Sequence, residues 1–462
     1  MLNTVVNNDN WRNQCLEAIN IMALLACKVL SKSCAKIISK LWKSLHSKHF
    51  INKYKTSPNA FVRQRKLPFH NLVLFLLGNL KSSYNRELDR FFQQIKGDPI
   101  GCSSITKGAV SLARKHLKPS VFRELNSQAL STFEKEVALH TWHGFRLLAI
   151  DGTTLRLPDI HEIRQHFGER SGGSGRPCPI GRMSVLYDPL NKLTVSSLLS
   201  PINIGERDHA HQLIRHLMPN SLVILDRGYP AFSLFKAVRC MNNDFCCRLN
   251  SHWQIVKDFL TSRLKEQIVD LSPTALSATE CINMGFDNTP ITLRLLRIEL
   301  KSGETEVLGT SLTDQILYPY DLFAELYHQR WFIEEDIKTL KIKIELENFT
   351  GKTVHSIYQD CYAQILAKNI TSMLSFDARN KIKHGGKKEK HLHQINFTYA
   401  LAKTKEVMAR LFYSTRADLA QLIKTLHTLY IEITEPVRPG RRYPRNHHVY
   451  KRVFHFNCKY IA

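Results

Sequence analysis

The sequence predicts a mixed α/β protein whose sheet-containing core is flanked by helical regions. Three observations predict it. RLLAID (146–151) and LVILD (222–226) are short apolar runs that each close on an aspartate and a turn, the pattern of a buried strand with its acid at the carboxyl end. Apolar residues recur at helical spacing before residue 135 and again beyond residue 346. Between these regions, strand pairs with hairpin character lead into a helix, a further strand and another helix.

Residues 1–60 read as a basic leader, partly helical or disordered. Lys28, Lys32, Lys36 and Lys40 repeat every four residues, while Leu30, Ile37, Ile38, Leu41 and Trp42 take other faces. Such a basic amphipathic helix is a solvated lysine face, a phosphate-contacting face or a membrane-surface face. Residues 61–135 read as a helical N-terminal domain. Pro68 suits a helix start, with Leu72, Phe75, Leu76 and Leu80 following. Ser103, Ser104 or Thr106 caps TKGAVSLARKHL, which Pro119 closes and to which Lys107, Arg114 and Lys115 give a basic side. The domain is either a helix-turn-helix type DNA-binding module or a packing domain.

Residues 140–345 read as the core. RLLAID and TTLRLP about Gly152 read as one hairpin; GRMSVLY and KLTVSSLLS, split by Asp188 to Asn191, read as a second. HAHQLIRHLM is a helix, LVILD a strand and PAFSLFKAV a helix. SGGSGRP (171–177) follows no strand and lacks a Gly-Lys-Ser/Thr ending, so it is a flexible loop and not a P-loop. The 107 residues between Asp226 and Glu334 are too many for one helix and a loop. Their runs FCCRLN, ITLRLLRIEL and ETEVLGTSL predict an inserted β subdomain at about 244–312. DCYAQILAKNITSML, ALAKTKEVMARLF and DLAQLIKTLHTLYIEI make 346–436 a C-terminal helical region. It is interrupted by the basic linker KIKHGGKKEK and by HLHQIN, whose histidines have no partner at metal spacing and read as loop. The tail, 437–462, has four arginines within eight residues, for DNA-backbone contact or for solubility.

The candidate chemistry centres on YHQRWFIEEDIKTLK. Tyr327, Arg330, Glu334 and Lys341 follow at steps of three, four and seven, which on one α-helix falls within an arc of about 60°. Leu326, Ile333, Ile337 and Leu340 form an apolar seam beside that charged row. Glu334 is then an acid on a rigid, packed helix, and Asp151 and Asp226 are acids at strand ends, where open α/β sheets place ligand-binding groups. Three carboxylates brought together repel unless hard cations neutralise them. Mg²⁺ takes a few carboxylates and leaves its other positions to water and phosphate. Two such ions about 3.5–4 Å apart activate an attacking oxygen and stabilise a leaving one.

Composition agrees with a polyanionic partner. Lys plus Arg is 65 against 40 for Asp plus Glu, a formal net charge of +25, which favours nucleic acid. The eleven cysteines are an odd number without a C-x-x-C pair, which excludes a recognisable disulfide framework or zinc site. The apolar stretch Ile19 to Leu30 is broken by Asn20 and Lys28 and is too short to span a bilayer, and no signal peptide is recognised.

Asp151 in AIDGTT, Asp226 in LDRGY and the Y-x2-R-x3-E-x6-K spacing resemble transposases of the insertion-element-four (IS4-like) family, which belong to the DDE group. FVRQRKLPFHNLVLFLLGNL, LYDPLNKL, GERDHA and RPGRRYPR are also similar to family members, so the resemblance runs from about Phe61 to about Arg445. It implies a ribonuclease-H-like catalytic core with an inserted β subdomain, between a helical N-terminal domain and a helical C-terminal region. It implies Asp151, Asp226 and Glu334 as the catalytic, metal-holding triad, with Mg²⁺ (or Mn²⁺), two ions, as cofactor. It implies that Tyr327, Arg330 and Lys341 hold DNA phosphates. The expected partner is double-stranded DNA, both the element's terminal inverted repeats and the target, bound by a homodimer in a bacterial cytoplasm, with no membrane. Some relatives carry a base-stacking aromatic residue shortly before the Thr-Ser that matches Thr310-Ser311; this chain has Glu306 and Val307 there, and Trp253 cannot be assigned the role by spacing. Two other readings stay open: a DNA-binding descendant of a transposase without catalysis, and another ribonuclease-H-like nuclease.

Overall fold

The computed structural model describes residues 32–62, 67–78, 83–97, 105–170, 177–300, 303–384 and 392–438. The expectations for the leader up to residue 31, for Leu80, Ser103 and Ser104, for the loop at 171–176, for the linker at 385–390 and for the tail from 439 lie outside the described residues. Contacts divide the chain into two compact units. One gathers the described residues up to Ala138 with those from Tyr362 onward, and the other is Leu139–Cys361. The N- and C-terminal helical regions therefore share a unit.

The first helical stretch is α1 (32–46), α2 (Lys48–Tyr54), α3 (Phe69–Leu77), α4 (Tyr84–Lys96), α5 (Lys107–Lys115) and α6 (Ser120–Glu136). Cys34, Ile37, Ile38, Leu41 and Leu45 of α1 are buried, while Lys32, Lys36 and Lys40 are exposed, as the four-residue repeat requires. Pro68 stands at the N-cap of α3. Of the three candidate caps for α5, Thr106 is described and does the work, accepting the Ala109 N–H at 3.2 Å. Arg114 is a correction: it is buried beside Val110 on the inner face of α5, so only Lys107 and Lys115 lie on the exposed side.

The second unit is built on β1 (Arg146–Arg156), followed by α7 (His161–Phe167), β2 (Glu169–Arg170), β3 (Cys178–Asp188), β4 (Leu193–Pro201), α8 (Glu206–Leu213), β5 (Ser221–Leu225), α9 (Phe232–Cys240) and β6 (Asp244–Arg248). Then come α10 (Gln254–Ser262), β7 (Glu266–Leu271), α11 (Ala275–Asn283), β8 (Ile291–Glu299), β9 (Thr305–Thr310), α12 (Leu322–His328) and α13 (Trp331–Lys338). One sheet runs β2-β3-β1-β5-β6-β9-β8-β7, with β4 on β3. β5 lies parallel to β1 and β6 parallel to β5; the other pairs are antiparallel.

Two sequence expectations change here. RLLAID and TTLRLP are not a hairpin but one strand, β1, paired with β3 from Ala149 to Arg156. The run FCCRLN, placed in the inserted subdomain, is β6, a central strand beside β5; β7, β8 and β9 extend the same sheet beyond it. The β3–β4 hairpin forms as expected.

Both faces of the sheet are packed. Leu148, Ile150, Val223 and Leu225 face a cluster with Leu213 of α8 and Phe235 of α9. Leu147, Leu222 and Ile224 face another with Phe323 and Leu326 of α12. Those two α12 side chains are fully buried, each worth about 1.5–3 kcal/mol of apolar burial, and they fix α12 against the sheet.

The chain closes with α14 (Val354–Leu374), α15 (Phe376–His384), β10 (His393–Ile395), α16 (Phe397–Glu406), α17 (Met408–Tyr413), α18 (Arg416–Glu432) and β11 (Thr434–Pro436). HLHQIN is not loop: His393–Ile395 pairs with Thr434–Pro436. ALAKTKEVMARLF is two helices, broken where Val407 leaves helical geometry (φ −111, ψ 11). Among the described residues no helix is long and apolar enough to cross a membrane. The described cysteines are free thiols.

Candidate active site

Strand register brings the two aspartates together. Ala149 of β1 pairs with Ile224 of β5, and Asp151 and Asp226 each stand two residues further on. Side chains alternate along a strand, so Asp151 shares a face with Leu147, and Asp226 continues the face of Leu222 and Ile224. That is the face covered by α12. Parallel pairing of β1 with β5 ends at Ala149, which leaves this end of the sheet open where the acids emerge.

Gly152 faces the other way. A Cβ there would meet Ser184 Oγ at 3.2 Å and Glu206 Cγ at 3.3 Å. Glycine is needed at this position for the close approach of α8 and not for a turn. Glu206 is held by Arg182 at 2.7 Å.

The charged row supplies the rest, though not on one α-helix. α12 ends at His328 and α13 begins at Trp331. Arg330, Phe332 and Ile333 donate to carbonyls three residues back, a tighter turn than α. A π-helical turn at Thr339–Lys343 then underwinds the chain, with the Ile344 N–H reaching Thr339 O. The two departures act in opposite senses, so the four side chains still reach one place. Leu326, Ile333 and Leu340 are buried as the seam predicts, and Ile337 is partly buried.

Tyr327 donates its hydroxyl to Asp226 Oδ1 at 3.3 Å. Arg330 lies 5.7 Å from the centre of the Tyr327 ring and donates Nη2–H to Glu334 Oε1 at 2.8 Å. Lys341 Nζ donates to Thr154 O at 2.7 Å and to Thr153 Oγ1 at 3.4 Å, three and two residues past Asp151. It also pairs with Glu347 Oε1 at 3.3 Å. All six residues singled out in the sequence thus border the same end of β1 and β5. Sequence spacing did not point to Glu347: six residues on from Lys341 is about 120° round an α-helix, and Glu347 lies in a turn beyond the helical segment.

Burial pushes the Asp151 carboxyl up to about 6, against an ordinary 3.8, and the nearby Glu334 and Asp226 carboxylates push the same way. The Gly152 N–H, which donates to Asp151 Oδ1 at 2.8 Å, and the Arg330 guanidinium hold it back. Burial raises the Tyr327 phenol and Asp226 adds to the rise, so it is a neutral donor. The Tyr229 hydroxyl, in the turn after Asp226, is buried without a hydrogen-bond partner. Cys247 reaches Asp226 O at 3.8 Å, but burial holds its thiol protonated and the local donors are carboxylate oxygens. With Glu334 turned to Arg330, no three Asp, Glu, His or Cys side chains among the described residues are grouped to share one ion. At the position tested for a stacking aromatic residue, Val307 is buried and Glu306 pairs with Arg248 at 2.6 Å.

Comparison with known proteins bears on this site. The family described as transposase DDE domain matches residues 142–370, a segment that holds all six residues. The transposase InsG for insertion sequence element IS4 of Escherichia coli K12 is 22% identical over 404 residues, covering 84% of this chain and 87% of that protein. The putative transposase InsZ of the same organism is 24% identical over 226 residues, 48% of this chain and 72% of its own. A cryo-EM structure of the piggyBac transposase synaptic complex with hairpin DNA aligns with a TM-score of 0.42 at 10% identity, over 91% of this chain and 87% of that one. On the family match and these relatives, the chain is a DNA transposase of the insertion-element-four (IS4-like) DDE family.

Proposed function

We propose that Asp151, Asp226 and Glu334 are the catalytic triad of this transposase, and that they hold Mg²⁺ (or Mn²⁺), two ions, for phosphodiester hydrolysis at element ends and strand transfer into target DNA. The observation that carries the reading is the register of β1 and β5. It sets two aspartates side by side on the sheet face that α12 and α13 approach with Glu334. The donor set suits the group: carboxylate oxygens are hard ligands, and the nearby thiols are buried and protonated. Bound there, divalent cations would activate the attacking oxygen and stabilise the leaving one. The strand order β4-β3-β1-β5-β6, with β3 antiparallel and β5 parallel to β1, supports a ribonuclease-H-like core.

On this reading the chain's own groups divide the work. Asp151 and Asp226 anchor the site from rigid strands. Glu334, bonded to Arg330 in the free protein, would be the third residue to hold the cations. Arg330, freed from Glu334, presents its planar fork to a phosphate, and Lys341 supplies a point charge. Tyr327 orients Asp226 and offers a hydroxyl at the same phosphates. The substrate is double-stranded DNA, terminal inverted repeats first and target second, held by a homodimer.

The test is cleavage of a duplex carrying an element end. Asp151→Asn, Asp226→Asn and Glu334→Gln should each abolish nicking while DNA binding is retained. Mg²⁺ or Mn²⁺ should support cleavage, Ca²⁺ should support binding with little cleavage, and EDTA should stop the reaction. Full cleavage by any of the three variants, or cleavage in EDTA, overturns the assignment.

A further inference from the structure

We propose that Glu347 is a positioning residue for transposition: it holds the Lys341 ammonium against β1 beside Asp151, ready for a DNA phosphate. This inference rests on the proposed phosphate role of Lys341.

The last part of β1 has a bare edge. Beyond Ala149, β1 is no longer paired with β5, while on its other edge β3 continues to Arg156. Backbone groups on the uncovered edge need partners. Two of them are met by the same pair of side chains. Thr154 O accepts from Lys341 Nζ at 2.7 Å, and Glu347 Oε1 accepts the Arg156 N–H at 3.0 Å. Glu347 Oε1 also lies 3.3 Å from Lys341 Nζ. One carboxylate oxygen therefore joins the end of β1 to the ammonium.

Lysine is a flexible residue, and ordering its four-carbon stem costs rotamer freedom. Here that ordering is complete in the free protein. Thr154, Thr153 and Glu347 fix the ammonium from three directions, within three residues of Asp151. A charge already in place needs no further ordering when DNA arrives, which is how pre-organised groups aid both binding and chemistry. Both side chains are accessible enough for exchange, with Lys341 30% and Glu347 17% exposed. When a phosphate takes the ammonium, Glu347 keeps its bond to the Arg156 N–H. The carboxylate then stays as a fixed wall and does not follow the lysine.

A purely structural pair would only cap the strand edge, and the two roles separate experimentally. Full-length protein is tested as wild type, Glu347→Gln, Lys341→Ala and the double variant, on a duplex carrying an element end. Glutamine keeps an oxygen for the Arg156 N–H and removes the charge, so Glu347→Gln should melt within about 1 °C of wild type. It should bind the end duplex at least as tightly, because one negative charge has left the phosphate's surroundings. Cleavage of the saturated complex should fall about 10–100-fold, the range typical of a lost supporting contact to a functional group. In the Lys341→Ala background the Glu347→Gln substitution should cause no further loss of cleavage.

Wild-type cleavage by Glu347→Gln overturns the proposal. So does a lowered melt with a cleavage loss that persists in the Lys341→Ala background, which identifies a structural cap. If Lys341→Ala itself binds and cleaves like wild type, the phosphate role of Lys341 fails and this inference fails with it. An impaired Lys341→Ala beside an unimpaired Glu347→Gln removes the Glu347 role alone.

Discussion

Asp151→Asn should stabilise the protein while destroying its activity. Burial raises the Asp151 carboxyl to about 6 from an ordinary 3.8. The sign follows from proton linkage. A carboxyl raised in the folded state binds more protons folded than unfolded between those two values, so stability falls as pH rises through that window. Above about pH 6 the full penalty is present; near pH 4 and below it has vanished. A gap of about 2 pH units at about 1.4 kcal/mol each gives roughly 3 kcal/mol as the ceiling. Solvent access to the partly exposed carboxylate trims this to about 2–3 kcal/mol. Asparagine keeps an oxygen for the Gly152 N–H and carries no charge. At pH 7–8 in EDTA the variant should therefore melt higher, by about 5–10 °C for a unit of this size. At pH 4 the two proteins should melt together. Mg²⁺ or Mn²⁺ should raise the wild-type melt and not the variant's, since only a folded site with its ligands gains from binding. Scanning fluorimetry from pH 4 to pH 8, with and without metal, reads all three outcomes. Equal melts at pH 7–8, or the same gain at pH 4, would refute the claim that burial raises the Asp151 carboxyl.

Two further substitutions test neighbouring groups. Arg330→Ala should flatten the salt dependence of end binding by about 0.9 in log–log slope, one phosphate contact, measured by filter binding across a salt series. Its stability loss should stay near 1 kcal/mol, because the Arg330–Glu334 pair and the contact with the Tyr327 ring are each worth a few tenths to about 1 kcal/mol. An unchanged slope with a lowered melt would reduce Arg330 to a surface ion pair. Removing Arg330 also removes a charge that holds Asp151 down, so the acid limb of the cleavage pH profile should move upward. Tyr229→Phe deletes a buried hydroxyl that has no partner, so stability should hold or rise by up to about 1 kcal/mol. A clear drop in the melt would mean that the hydroxyl is hydrogen-bonded in the folded protein.

What was legible in the sequence was set by local rules. Apolar runs gave β5, β8 and β9, periodicity gave α3, α5, α9 and α18, and turn residues gave the β3–β4 hairpin. What was misread depended on tertiary context. Gly152 in the middle of RLLAIDGTTLRLP has the signature of a turn. The strand runs straight through it, because the glycine is required by Glu206 and Ser184 packed against it. Val407 carries no breaker signal, yet α16 and α17 part there. β7, with its alternating half-exposed residues, lies at the edge of the sheet and lacks the continuous apolar run of a central strand.

The grouping of the candidate residues was legible for a different reason. Tyr327, Arg330, Glu334 and Lys341 lie close in sequence, so an assumed period of 3.6 was enough to group them, even though the backbone tightens at Arg330 and loosens at Thr339. The aspartates lie 75 residues apart, and nothing local says that β1 and β5 are neighbours or that their register is Ala149 to Ile224. A slip of one residue would send one acid to the opposite face, into the α8 side of the sheet. The register is held by apolar burial on both faces, with Leu147, Leu148, Leu222, Val223 and Ile224 all at zero exposure. The proposed chemistry of the acids therefore depends on residues that carry no chemistry. A substitution that only loosens the packing beneath α12, such as Phe323→Ala, should lower cleavage by displacing Tyr327 and Glu334 from the aspartates. Its stability should fall by the about 3–5 kcal/mol typical of a buried phenylalanine. Cleavage at the wild-type rate by the folded fraction would show that α12 packing does not set the site.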